Sequence, residues 1–333
     1  MTGHNGTVTR VAVLDDYQRK AADYADWGSL GDGVDVDFIH EPIPHERLAE
    51  RLAAYEVLVL MRERTRFDEE VLARLPRLQL VVTTGMRNAS LDVDHLAGRG
   101  VVVCGTAGIS SPSPGGVPTT AEVAWALILA VLKRVTIEDR AIRAGRWQTD
   151  LPANLGGATL GLAGLGHLGA SMIGPARAFG MEVIAWSQHL TNDRAAEVGA
   201  QAVSKDDLLG RSDVLSIHLV LSERTRGLFG AYELSQMRRT AVLINTSRGP
   251  IVDERALVDA LADGTIAGAG LDVYDTEPLP VGHVLTNLDN VVLLPHLGYV
   301  SEASMRNMYE QVVEDIAGWR DGAPIRTLPA ASR

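Results

Sequence analysis

Three ionisable side chains stand just past apolar runs that read as buried strands: Arg248 in "INTSRG", Glu277 in "LDVYDTEP" and His296 in "LLPHLG". An imidazole can take up or release a proton near neutral pH. A carboxylate beside it would orient the ring and stabilise its charged form. A guanidinium offers a planar fork that grips a carboxylate and polarises a neighbouring oxygen. Charge at the mouth of a core strand is costly unless it is paired or engaged with a ligand. Each residue also has a plainer alternative. Arg248 could close a salt bridge with Asp253 or Glu254, Glu277 could be a solvated turn residue ahead of Pro278, and His296 could be a satisfied core histidine. Three such groups at successive strand ends favour chemistry, because ligands of open α/β sheets bind at strand carboxyl ends.

A second pattern supplies a possible reactant. "TLGLAGLGHLGASMIG" holds Gly164-x-Gly166-x-x-Gly169 where a strand should turn into a helix, with another strand, "MEVIAWS", after it. In that context the glycines read as a dinucleotide site. Gly164 makes the tight turn, Gly166 lets the backbone approach a pyrophosphate, and Gly169 allows close helix–strand packing. The amides of Leu165, Gly166, His167 and Leu168 would face the anion. The acidic residue that usually reads the adenosine ribose is replaced by Ser187, followed by Gln188 and His189. A carboxylate there would repel a 2′-phosphate and serine does not, so both NAD and NADP stay open as cofactors. Sequence does not place the next cation along, Arg194.

These residues need a scaffold of strands and helices. The first third carries the β-branched runs "VAVLDD", "VDVDFI", "VLVLM", "LQLVVTT" and "VVVC", with helix-like stretches between several of them. A segment rich in Pro, Gly and Ser, residues 105–122, precedes the apolar helix candidate "TAEVAWALILAVLKRV". The alternation then restarts with "TLGLAGLG", "MEVIAWS", "VLSIHLV", "AVLINTS", "AGAGLDVY" and "NVVLLPH". Strands alternating with helices predict an α/β protein with two doubly wound parallel-sheet domains. The last helix candidate, residues 301–322, has no strand after it, which suggests a return to the first domain. The expected division is a discontinuous substrate domain, 1–107 with 300–333, holding an inserted dinucleotide-binding domain, 108–299.

Composition narrows the classes of function. The 333 residues carry a formal charge of −11, and the pI is near 5.3, which disfavours a phosphate-backbone partner such as nucleic acid. No apolar run approaches the roughly 20 residues needed to span a bilayer, and the N-terminus lacks a signal-peptide pattern, so no membrane partner and a cytoplasmic location are expected. The lone Cys104, flanked by "VVV" and "GT", reads as a small core residue. No metal site is expected.

In order and surroundings, these motifs resemble the D-isomer-specific 2-hydroxyacid dehydrogenase family. The similarity runs from "VLMRERTRFDEEVLARLPRLQLVVTTG" through the glycine loop to "NVVLLPHLGYVSEAS". It implies a Rossmann-like cofactor domain inserted in a flavodoxin-like substrate domain, a cleft between them, a homodimer, and hydride transfer between a nicotinamide and a D-2-hydroxy or 2-oxo acid. His296 would be the acid/base, Glu277 its orienting partner and Arg248 the carboxylate grip. By the same resemblance Asp272 would receive the nicotinamide carboxamide, and Thr120, His218, Val220, Thr225, Thr246, Ser247, Arg248, His296 and Gly298 would border the cofactor. For His218 packing is a comparable alternative. Val220 replaces a proline common in that loop. Gly85 and Met86 in "TTGMRNASLD" would take the substrate carboxylate. Arg87 stands where the family often has a small or apolar residue, and with Arg62 it would add cations that favour an anionic, even dicarboxylic, substrate; a surface arginine on a loop is the alternative for Arg87. Crossings near 105–120 and 297–301 would be hinges, and the helix after the first crossing would be buried at the dimer contact. Two other readings are a dinucleotide-binding corepressor and a formate dehydrogenase; the second branch carries glutamine where Glu277 stands.

Overall fold

The structure is a computed structural model that describes residues 8–108 and 116–329. The chain forms two compact units, Met1–Ser110 with Ser301–Arg333, and Ser111–Val300. Residues 109–115, the middle of the predicted first crossing, lie outside the described residues.

The first unit is built on five parallel strands: β1 (Thr9–Val13), β2 (Val34–Phe38), β3 (Val57–Leu60), β4 (Leu80–Thr83) and β5 (Val102–Gly105), in the order β2-β1-β3-β4-β5. β3 and β4 are buried at every position, as continuous apolar runs covered on both faces should be. Leu52, Leu58, Phe67, Leu72 and Leu96 are among the residues that fill the core beside them. The long helix Glu302–Arg320 belongs to this unit and buries Tyr309 completely. After it the chain runs beside β5, with Leu328 N donating to Val103 O at 2.8 Å. Cys104 is fully buried there and free. Burial pushes its thiol up to about 12, which keeps it protonated and inert.

The second unit has seven parallel strands: β6 (Thr159–Ala163), β7 (Glu182–Trp186), β8 (Gln201–Ala202), β9 (Val214–Ile217), β10 (Val242–Asn245), β11 (Gly268–Leu271) and β12 (Val291–Leu293). Their order is β12-β11-β10-β9-β6-β7-β8. The order reverses between β9 and β6, so the carboxyl ends of those two strands flank the ligand crevice expected of such a sheet. Six of the strands coincide with the six apolar runs. The seventh, β8, is two residues long, and so short a stretch has no hydrophobic pattern to announce it.

The helix Thr119–Leu132 is covered on one face by its own unit. Ala121, Ala124, Trp125, Leu127 and Ile128 are buried in the unit's own core, while Glu122 and Ala126 are exposed on the other side. Gly268 and Gly270 leave no room for side chains beneath Val131 and Leu127, so the helix packs closely on the sheet.

Candidate active site

β10, β11 and β12 are neighbours in register, with Asn245 opposite Leu271 and Leu271 opposite Leu293. Parallel pairing puts their carboxyl ends on one edge, where the chain continues into Arg248, Glu277 and His296 respectively. Residues well separated in sequence are thereby delivered to one side of the sheet. His296 Nδ1 lies 2.6 Å from Glu277 Oε2. The two side chains are only 17% and 26% exposed, so water screens this contact weakly. Glu277 Oε1 accepts the Tyr274 amide at 3.0 Å, which fixes the carboxylate from its other oxygen. With Nδ1 turned to Glu277, Nε2 is the ring nitrogen left for proton exchange with a ligand. The Tyr299 ring packs edge-on against the imidazole at 5.4 Å between centroids.

The backbone beneath His296 is unusual. His296 adopts a φ of 53°, a left-handed conformation that costs a non-glycine residue on the order of 1–3 kcal/mol unless its surroundings hold it there. Asp272, fully buried at the end of β11, accepts the next two amides, Leu297 N at 2.6 Å and Gly298 N at 2.8 Å. Thr120 Oγ1 donates to Gly298 O at 2.6 Å. Tyr274 donates its hydroxyl to Leu294 O at 2.8 Å, two residues before His296. Burial raises the Asp272 carboxyl above its ordinary range, and the two amides oppose that rise. The histidine turn is therefore pinned on both sides.

Arg248 follows Thr246 and Ser247 from β10. Its carbonyl accepts Asn245 Nδ2 at 3.0 Å and its Nη1 donates to Ser247 O at 2.7 Å. Gly249 next to it packs on the Tyr274–Asp275 backbone so closely that a Cβ would collide there. The arginine turn thus rests on the same segment that holds Glu277. Nearby, Asp253 Oδ1 caps Ala256 N at 3.0 Å and Glu254 Oε1 lies 3.2 Å from His283 Nε2.

The expected cofactor residues offer both room and polar groups. Gly164 has a φ of 100°, and a Cβ on it would lie 2.5 Å from His218 O, so the glycine turn abuts the end of β9. A Cβ on Gly169 would strike Gly164 O, whereas one on Gly166 would meet nothing within 4 Å. The middle glycine alone faces open space, as backbone approach to a pyrophosphate requires. Thr246 Oγ1 and His218 Nδ1 are buried without a hydrogen-bond partner among the described residues, which suits a polar ligand at the ends of β10 and β9. His218 Nε2 lies 2.9 Å from Ser216 Oγ, and burial pushes the imidazole down to about 4. It is neutral at physiological pH. Thr225 Oγ1 donates to Val220 O at 2.7 Å, closing the loop after β9 on which Val220 stands 77% exposed. These residues fit a dinucleotide.

The predicted substrate residues Gly85, Met86, Arg87 and Arg62 belong to the first unit. Gly85 is buried, with a φ of 136°, and the Arg62 guanidinium lies where its side chain would be. Arg62 donates its amide to Thr84 Oγ1 at 2.9 Å and Nη1 to Thr84 O at 3.2 Å. Arg62 is thus laid along the loop that carries Gly85. Met86 and Arg87 are exposed.

Sequence reasoning misses three contributions. Asp272 stands out as a cofactor residue, but its hold on the histidine turn does not. Tyr274 links the Glu277 and His296 arms, and only its apolar neighbours show in the sequence. Arg224, in the loop after β9, reaches Gln188 after β7, Nη1 to Oε1 at 3.5 Å. No spacing rule predicts contacts of this kind between separate loops. Among the described residues, no group of three or more His, Cys, Asp or Glu side chains is placed to hold a metal ion, and no helix is long and apolar enough to cross a membrane.

Comparison with known proteins agrees with this geometry. A family model described as D-isomer specific 2-hydroxyacid dehydrogenase, NAD binding domain, matches residues 125–298. A glyoxylate reductase of Aeropyrum pernix is 37% identical over 298 residues, 87% of each chain. A glyoxylate reductase of Korarchaeum cryptofilum is 37% identical over 261 residues, 77% of each. Among solved structures, a phosphoglycerate oxidoreductase from Vibrio cholerae superposes with a TM-score of 0.87 at 33% identity, covering 95% of this chain and 100% of that one.

Proposed function

The chain belongs to the D-isomer-specific 2-hydroxyacid dehydrogenase family, and on that premise we propose that His296 moves the proton, Glu277 orients it and Arg248 holds the substrate carboxylate. The protein is an NAD(P)-dependent oxidoreductase acting on 2-hydroxy and 2-oxo acids. A dinucleotide would be held with its pyrophosphate at Gly164–Gly169 and its nicotinamide near the ends of β10 and β11, where it would supply or accept the hydride at C2. In the reductive direction the His296 imidazolium gives its Nε2 proton to the C2 oxygen as that oxygen gains negative charge. In oxidation the neutral ring takes the same proton back. Glu277 stabilises the imidazolium and keeps Nε2 directed at the substrate, and Arg248 polarises the C2 oxygen while its fork grips the carboxylate. The 2.6 Å contact between His296 and Glu277, at the ends of adjacent strands and pinned by Asp272, carries this reading.

In the first unit, the backbone of Gly85 and Met86 would receive the substrate carboxylate, with Arg62 and Arg87 adding positive charge. The names of the relatives point to glyoxylate or a short 2-oxo acid with a second anionic group. We also assign the protein to the cytoplasm and to a homodimer. The exposed apolar residues Val135 (52%), Ile142 (54%), Trp147 (75%) and Leu151 (91%) offer the surface for a second copy. Oxidation of NADH and NADPH, followed separately by absorbance with a panel of mono- and dicarboxylic 2-oxo acids, tests the assignment. Turnover by the wild type and its loss in His296→Asn are expected. Equal turnover by both proteins would remove His296 from the reaction.

A further inference from the structure

The end of β7 is where a Rossmann-type unit chooses between NAD and NADP. A carboxylate there bonds the ribose hydroxyls and repels a 2′-phosphate; a nearby arginine accepts the phosphate instead. In this chain β7 ends at Trp186, and the positions after it are Ser187, partly buried, and Gln188, exposed. Neither carries charge. Two arginines have to be considered as the missing cation. Arg194 lies 3.6 Å from Glu197 on its own helix, in an exposed and therefore weak pair. Arg224 comes from the loop after β9, which is separated from β7 in the sheet by β6 and its glycine turn. Its guanidinium nonetheless extends to Gln188, at 3.5 Å.

The turn that presents Arg224 is well built. Ser222 N donates to Thr225 Oγ1 at 2.8 Å, Thr225 Oγ1 donates to Val220 O at 2.7 Å, and Arg226 N donates to Ser222 O at 2.9 Å. The partner of Arg224 among the described residues is a neutral amide oxygen. Such a contact places a guanidinium without neutralising it, and the bond is long enough to be given up for a better acceptor. In a chain of net charge −11, a guanidinium whose partner among the described residues is the neutral Gln188 amide beyond this strand end is a distinctive local feature. The same loop carries the carboxylate of Glu223, exposed and next to Arg224 in sequence, which offsets part of the attraction for an anion.

We infer that Arg224, together with Ser187 and Gln188, forms a subsite for the 2′-phosphate of NADP(H), so that the enzyme discriminates in favour of the phosphorylated cofactor. The inference rests on the dinucleotide site of the second unit and is independent of the proton-transfer assignment, which could fail without affecting it. Binding to the cofactor-free full-length protein tests it without turnover. Calorimetric titration with 2′,5′-ADP and with 5′-ADP should show the 2′-phosphate compound binding about tenfold tighter or more, the gain expected of a charge-assisted hydrogen bond. Rising salt should narrow that gap. Arg224→Gln should abolish the preference while leaving 5′-ADP affinity within about twofold, and Ser187→Asp should reverse it. Equal or tighter binding of 5′-ADP by the wild type would overturn the subsite, as would a preference that survives in Arg224→Gln. Failure of both nucleotides to bind would overturn it together with the glycine-loop assignment.

Discussion

The two ends of the crevice in the second unit are constructed on opposite principles. At the β11–β12 end, Asp272 is fully buried, His296 and Glu277 are mostly covered, and the turn between Leu294 and Gly298 is held by Tyr274, Asp272 and Thr120 through bonds of 2.6–2.8 Å. At the β7 end, Gln188 and Arg224 are exposed and meet at 3.5 Å. Proton transfer depends on sub-ångström placement, and the groups proposed for it are held by several neighbours at once. Recognition of an adenosine ribose tolerates a looser fit and can draw on long side chains that close after the ligand arrives. On the proposed roles, a single sheet would offer a firmly held end for chemistry and a loosely held end for selection.

Substitutions at the rigid end should have the largest consequences. Glu277→Gln keeps the shape but loses the charge that stabilises the imidazolium. Loss of that support or of His296 itself should cost about 10²–10⁴-fold in kcat/KM, measured by steady-state turnover. Asp272→Asn comes next. Its amide nitrogen would face one of two N–H donors, the histidine turn would loosen, and kcat should fall about 100-fold. Hydrogen exchange at Leu297 and Gly298 should quicken in the same variant; unchanged protection would show that the turn does not depend on the carboxylate.

The glycine loop lies between the extremes and sharpens the contrast. Gly164→Ala meets both a positive φ and the His218 carbonyl, so it should destabilise the protein by about 1–3 kcal/mol, read from denaturant unfolding. Gly166→Ala has space within the protein. It should leave the unfolding midpoint nearly unchanged and still weaken NADH binding, because the added methyl stands where the pyrophosphate approaches.

His218 should give the smallest effect, and its sign is fixed. Its folded value of about 4 lies below the ordinary 6.5, so the unfolded chain binds a proton at higher pH than the native one. Stability is then fully present above pH 6.5 and is lost as pH falls through about 4. Thermal unfolding of the wild type should show this decline, and His218→Asn should show less of it.

The strands are legible because a continuous apolar run of four or more residues, set between helix-like stretches, can hardly be anything but a buried strand in an α/β chain. The two-residue β8 carries no such run. The site is legible on separate grounds: Arg248, Glu277, His296 and the glycine loop each break an apolar pattern at a strand end, where a charge or a glycine stands out. The supporting contacts are not legible. Tyr274 looks like one more apolar strand-end residue, and Arg224 like an ordinary surface arginine. Their roles come from which strands lie side by side and which loops cross over them, and sheet order is a tertiary property that local spacing does not encode. The helix Thr119–Leu132 is legible only in part. Its composition announces burial, but not whether its own sheet or a second copy supplies the cover.

The central claim is that His296, held by Glu277, is the group that exchanges the proton. The pH dependence of kcat/KM for 2-oxo acid reduction, measured in the wild type and in His296→Asn, tests it most directly. The wild-type rate should fall with rising pH as one group loses its proton, and that ionisation should vanish from the residual rate of the variant. The same ionisation persisting in His296→Asn would contradict the account.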